Sequence, residues 1–156
     1  MNEKILDPAA GCDCLKAGQL DPCTIVIFGA SGDLAARKLI PALYQMYLNN
    51  SLPVPMTIVG CARSDLTSES FRDRLRETCS VECRSGMSGW QRFAASLFYY
   101  RIDYDSPDSF RGLAGFLEDV DREKGTAGNY LFDLALPPSL YPVVAEQLGR
   151  SGLSIQ

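Results

Sequence analysis

The chain has 156 residues, of which 46% are hydrophobic and 22% charged, with 15 Lys and Arg against 19 Asp and Glu and no histidine. A net charge of −4 with this much apolar content excludes a disordered polyelectrolyte and gives no general field for nucleic acid or an anionic membrane, so a phosphate-bearing ligand must be held by local geometry. A chain of this size buries roughly 70% of its unfolded surface, which supports one core and excludes a second large catalytic domain.

Residues 1–22, with Pro8, Gly11, Gly18 and Pro22 and no apolar period, read as an N-terminal extension leading into a single domain over 23–156. The opening Met1-Asn2-Glu3-Lys4 lacks the basic-then-apolar order of a signal peptide, and no apolar run approaches the ~20 residues of a membrane span. A cytoplasmic protein without a membrane partner is therefore expected. The six cysteines form no Cys-x-x-Cys pair. With no histidine to complete a mixed site, the close pairs Cys12/Cys14 and Cys79/Cys83 read as reduced structural thiols rather than metal ligands.

The β-branched run Cys23–Phe28 predicts a strand buried on both faces of a parallel sheet, ending at Gly29. Apolar residues at Leu34, Leu39, Leu43, Met46 and Tyr47 predict a helix from Gly32 to about Leu48, kinked at Pro41, which cannot donate to the Arg37 carbonyl. A second strand follows at Met56–Ala62. Thr67 is the N-cap of a charged helix running to about Cys79, and residues 85–97, with the only tryptophan at 90, are ambiguous between helix and loop. A third strand is expected at Phe98–Ile102, and Ser106-Pro107 opens a helix through about Glu123 by N-cap and Pro-at-N1 chemistry. The run Asn129–Leu136 predicts a fourth strand stopped by Pro137-Pro138, before a last helix from Ser139 to about Arg150. Strands alternating with helices argue for an α/β fold, a parallel sheet with helices on both faces and right-handed crossovers.

The stretch Gly29-Ala30-Ser31-Gly32-Asp33-Leu34-Ala35 lies where the first strand hands over to the first helix. A diphosphate needs backbone N–H groups aimed at it, a positive helix end and no Cβ in the way. Gly29 allows the turn, Gly32 the close approach and Ala35 the packing of helix on sheet, while Ser31 adds a hydroxyl. The spacing G-x-x-G-x-x-A departs from G-x-G-x-x-G, and the strand-before, helix-after context supplies what the pattern alone lacks. Asp33 favours the helix dipole but sits beside the expected polyanion, a conflict that Lys38 or another nearby cation could relieve. At the end of the second strand, where NAD-binding sheets place an acid, stand Arg63 and Ser64, a grip for a 2′-phosphate that favours NADP over NAD. No P-loop, no G-x-S-x-G elbow and no Tyr-x-x-x-Lys pair is present, and without histidine there is no imidazole base. These residues can seat a coenzyme but show no catalytic residue.

Taken together, Gly29–Ala35 with Lys38 and Pro41-Ala42-Leu43, then Ile58-Val59-Gly60-Cys61-Ala62-Arg63-Ser64, then Leu131–Tyr141, resemble in order the amino-terminal segments of the glucose-6-phosphate 1-dehydrogenase family. The resemblance implies a Rossmann-like NADP-binding domain in which Gly29, Ala30, Ser31, Gly32, Asp33 and Leu34 form the diphosphate turn and Arg63, with Ser64, contacts the 2′-phosphate. It also implies that Asp103 and Tyr104 lie toward the adenine and that Leu136, Pro137 and Tyr141 lie near the nicotinamide. The family's Glu-Lys-Pro-Phe-Gly and Arg-Ile-Asp-His-Tyr-Leu-Gly-Lys segments, which bind sugar phosphate and supply the His base, have no counterpart here. The chain therefore reads as the coenzyme-binding portion, cut before the substrate domain and inactive alone, with glucose 6-phosphate a partner of the full-length enzyme only. Two other readings stay open: a stand-alone NADP sensor, and an interaction domain without nucleotide. The sheet edge beside the fourth strand is open to pairing with another copy.

Overall fold

A computed structural model describes residues 20–78 and 87–154. Four strands, β1 (Cys23–Phe28), β2 (Met56–Ala62), β3 (Leu97–Arg101) and β4 (Tyr130–Leu134), form one sheet in the order β3-β2-β1-β4. All three pairings are parallel, with Cys23 opposite Met56, Thr24 opposite Tyr130 and Ile58 opposite Leu97. β2 is central and buried along its whole length, as a largely apolar strand covered on both faces must be. The two-residue alternation divides the strands between two cores. Ile27, Ile58, Leu97 and Tyr99 face one, and Val26, Phe28, Val59 and Cys61 the other. The fold is the expected doubly covered, Rossmann-like α/β sheet.

The first crossover becomes helical at Asp33 and differs from the expected single kinked helix. Ala35–Leu39 form a widened turn, with the Ile40 N–H reaching back five residues to the Ala35 carbonyl, before the α-helix α1 (Ile40–Leu48) continues. Pro41 has no N–H for the Arg37 carbonyl and its ring would crowd that carbonyl in an α-helix. One extra residue in the preceding turn relieves both problems, so the bend appears as a π-type turn rather than a sharp break.

α2 (Ser68–Thr78) opens with a reciprocal cap. The Thr67 Oγ1 accepts from the Ser70 N–H at 3.1 Å, and the Ser70 Oγ accepts from the Thr67 N–H at 2.9 Å. Cys12, Cys14, Cys79 and Cys83, the extension through residue 19 and the start of the 85–97 stretch lie outside the described residues. Within that stretch Met87–Ala94 form a helix, α3, whose Trp90 is buried against Tyr44 with ring centroids 5.4 Å apart, and Leu97 already opens β3. α4 (Pro107–Lys124) starts at the Ser106 cap, which accepts from the Ser109 N–H, and stops at Gly125, whose φ of 74° is the left-handed C-terminal stop. A short 3-10 turn at Pro138–Leu140 precedes α5 (Tyr141–Arg150). α1, α2 and α3 cover the Ile58 face, and α4 and α5 cover the Val59 face.

Two features fix the ends of the sheet. At the amino ends of the strands, Thr24 Oγ1 lies 2.7 Å from Thr57 Oγ1 and 2.9 Å from Thr126 Oγ1, and Thr126 donates to Asp121 at 2.6 Å. This hydroxyl chain satisfies three buried threonines. At the carboxyl ends, the chain has run outward from β1 through β2 to β3 and then returned to β4 on the other side. The reversal leaves a crevice above β1, where ligands bind in open parallel sheets.

Candidate functional site

The loop after β1 is held by the strands on either side of it. Gly29 and Ala30 donate their N–H groups to the Cys61 carbonyl at 2.8 and 3.2 Å, and Gly32 donates to the Gly29 carbonyl at 3.0 Å. Gly29 has a φ of 81°, and a Cβ there would run into the Ala135 carbonyl oxygen at the end of β4. Only glycine fits, for backbone and packing reasons together. Gly32 is tight in a lesser way, with a Cβ position 3.2 Å from the Gly29 carbonyl. The buried Ala35 seats the helix start on the sheet, and the first-turn N–H groups of a helix have no partners within it.

Side chains from two other elements brace this loop. Ser64, after β2, donates to the Ser31 Oγ at 3.0 Å, and Arg74 on α2 donates to the Ser31 carbonyl at 3.1 Å, bringing a positive charge beside the loop. Tyr99 on β3 donates to the Ser64 carbonyl at 2.7 Å and lies 3.2 Å from that of Ala62, fixing the turn that carries Arg63. Burial pushes the Tyr99 phenol up to about 12. The Arg63 guanidinium stands over the Tyr104 ring, 5.9 Å from its centroid. Burial raises the Tyr104 phenol above its ordinary value, opposed by the Gly29 backbone and the Arg63 charge. Cys61, wholly buried in the same strand end, has its thiol pushed upward by burial and is not a nucleophile.

The resulting cleft has a volume of about 510 Å³ and opens at the carboxyl ends of β1, β2 and β4. Of the residues expected from sequence, Gly29, Ser31, Gly32, Arg63, Ser64, Tyr104, Leu136 and Pro137 line it. Ala30 is buried beneath the loop, near the position a Cβ on Gly60 would occupy. Asp33 and the exposed Leu34 follow on the first helical turn, outside the lining. Asp33 pairs with Arg37 at 3.7 Å, so the expected relief of its charge comes from four residues on rather than from Lys38. Asp103 lines a neighbouring cleft instead, and Tyr141 is exposed at the start of α5. Sequence reasoning did not single out Arg74, Ala135 and Leu140. The last two sit in the Leu131–Tyr141 segment, whereas Arg74 has no sequence signal, being 43 residues from the carbonyl it meets.

Chemically, the cleft combines a loop held tight by two glycines, a helix start and a guanidinium. Among the described residues Arg63 makes no ion pair, because the nearest acid in sequence, Asp65, is turned to Arg101 at 3.7 Å. Such a donor set fits a diphosphate with one further anionic group. No cluster of acidic or cysteine side chains suited to a metal ion occurs among the described residues, and none of the described helices is long and apolar enough to cross a membrane.

Residues 26–156 match the family model described as glucose-6-phosphate dehydrogenase, NAD binding domain. Glucose-6-phosphate 1-dehydrogenase 2 of Mycobacterium tuberculosis (strain H37Rv) is 40% identical over 135 residues, which cover 85% of this chain and 26% of that protein. The glucose-6-phosphate 1-dehydrogenase of Caenorhabditis elegans is 37% identical over 131 residues, covering 83% of this chain and 25% of the relative. A solved glucose-6-phosphate dehydrogenase in complex with its substrate glucose-6-phosphate superposes with a TM-score of 0.75 at 32% identity, covering 84% of this chain and 28% of that one. The crystal structure of glucose-6-phosphate 1-dehydrogenase from Mycobacterium avium gives a TM-score of 0.72 at 27% identity, covering 86% and 28%. The chain thus spans about a quarter of the length of the curated relatives it matches.

Proposed function

Because the chain belongs to the glucose-6-phosphate dehydrogenase family, matching its NAD-binding domain, we propose that the cleft above β1 is a seat for NADP. The observation that carries this reading is Arg63, a guanidinium on the cleft wall with no ion pair among the described residues. Gly29 and Gly32, whose own N–H groups are taken by the Cys61 and Gly29 carbonyls, shape the loop so that the Ser31 hydroxyl and the N–H groups of the first helical turn meet the diphosphate, and Ala30, Asp33 and Leu34 complete the turn without lining the cleft. Arg63 takes the 2′-phosphate through charge-assisted hydrogen bonds, with Ser64 beside it. Leu136 and Pro137, on the β4 side, border the nicotinamide, with Tyr141 farther out on α5. When bound, the nicotinamide supplies a hydride acceptor.

In the whole protein, the reaction proposed is oxidation of the C1 hydroxyl of glucose 6-phosphate to the lactone with formation of NADPH, a step of the pentose phosphate route in the cytoplasm. It requires a base for the hydroxyl proton. The 156 residues contain no histidine, so on this reading residues 23–156 bind coenzyme and leave proton removal to segments outside them. NADP in excess should raise the unfolding midpoint of the chain, because a ligand that binds only the folded state stabilises it by mass action. NAD should raise it less, and glucose 6-phosphate added with NADP should yield no NADPH. An unchanged midpoint at saturating NADP, or turnover by the pure chain, contradicts the proposal.

A further inference from the structure

Arg63 stands on a wall shared by two clefts. One is the diphosphate cleft. The other, of about 400 Å³, is lined by Arg63, Arg101, Ile102, Asp103 and Ser109, none of them from the loop after β1. Resting on the NADP reading above, we propose that this second cleft takes the phosphorylated edge of the adenosine, and that Arg101 is a second cation selecting the 2′-phosphorylated coenzyme.

Placement comes first. Arg101 ends β3 as the register partner of Ala62, so its backbone is one strand spacing, roughly 4.8 Å, from the residue before Arg63. The Ile102 N–H, donating to the Ala62 carbonyl at 2.9 Å, locks the two strand ends together. Two guanidinium groups are therefore delivered to one cleft by adjacent strands.

The two arginines are held differently. Arg63 is anchored over the Tyr104 ring. Arg101 has Asp65 as its one ion-pair partner among the described residues, at 3.7 Å, with the two side chains 65% and 90% exposed. An ion pair of that length and exposure contributes little, and a phosphate dianion is a stronger partner than a carboxylate for a guanidinium. Asp65 thus acts as a placeholder that a 2′-phosphate displaces.

The remaining polar groups are compatible with an anion. Asp103, the acid in the lining, accepts the Asp105 N–H on its Oδ1 at 3.1 Å, which draws its charge into the turn. The Ser109 Oγ accepts the Asp103 N–H at 2.9 Å, leaving its own proton to donate to an oxygen in the cleft. A coenzyme with a free 2′-hydroxyl offers Arg101 nothing to exchange Asp65 for, which is why Arg101 should add to the selectivity that Arg63 provides.

Calorimetric titration of the chain with adenosine 2′,5′-bisphosphate and with AMP tests this. Arg101→Gln should weaken the bisphosphate about fivefold or more and AMP less than about twofold, Arg101→Lys should recover part of the loss, and Asp65→Asn should strengthen the bisphosphate by about two- to fourfold at low salt. If Arg101→Gln leaves the bisphosphate unchanged while Arg63→Ala weakens it about tenfold, Arg101 is a surface ion-pair partner only, and the NADP reading survives without it. Equal losses for both probes in Arg101→Gln also overturn the proposal. If Arg63→Ala changes nothing, the NADP reading and this inference fall together.

Discussion

Gly29 and Tyr99 show how single residues set the shape of the cleft. A Cβ at Gly29 meets both a positive φ and the Ala135 carbonyl, so Gly29→Ala should destabilise the chain by more than about 1 kcal/mol, read as a lowered denaturant midpoint at unchanged slope. A midpoint within error of the parent would mean that β4 does not close on the loop. Tyr99 holds the Ala62 and Ser64 carbonyls, and its phenol is raised from 10.0 to about 12. The folded state thus keeps this proton after the unfolded chain has lost it. The corresponding stability is fully present below pH 10 and declines as the pH rises toward 12. Tyr44, Tyr100, Tyr104 and Tyr130 are shifted the same way by burial and share the slope. Tyr99→Phe should cost about 1 kcal/mol at neutral pH and make the alkaline decline shallower. An unaltered alkaline profile would show that Tyr99 carries none of it.

At the scale of elements, the amino ends of the strands offer a contrast with the cleft. Thr24→Val breaks the hydroxyl chain, leaving the buried Thr57 hydroxyl without its Thr24 partner while Thr126 keeps Asp121, at a cost of about 1–3 kcal/mol. Coenzyme affinity should not change, because the chain lies at the opposite end of the sheet from the cleft. A calorimetric loss of affinity in Thr24→Val would show that the two ends are coupled. The four strands and most helices were legible in the sequence because continuous β-branched runs and cap residues such as Thr67 and Ser106 are local signals. α3 was not. Its Met87–Ala94 segment is short and contains Gly89, and it is helical because Trp90 and Phe93 pack on Tyr44, a contact made across the fold. Pro41 announced that the α-ladder fails in the first crossover but not that a π-type turn absorbs the failure. In the same way, the loop glycines and Arg63 were readable from spacing after a strand. The bracing by Arg74 and the separation of Asp103 from Tyr104 into different clefts depend on tertiary placement.

For the whole molecule, topology explains why distant segments meet. The order β3-β2-β1-β4 brings the turns after β1, β2 and β4 to one rim, so residues 29–32, 62–64 and 135–140 share a cleft although more than 100 positions separate the first from the last. The acidic chain adds no long-range attraction for a polyanion. On the proposed reading, selectivity for NADP comes from this rim, with Arg63 as its principal cation. Parallel calorimetric titrations of NADP and NAD into the parent chain and Arg63→Ala test this most directly. Loss of one or more charge-assisted bonds should weaken NADP by at least about tenfold while NAD changes by less than about twofold. Equal weakening of the two coenzymes, or none, would contradict the assignment of the 2′-phosphate to Arg63.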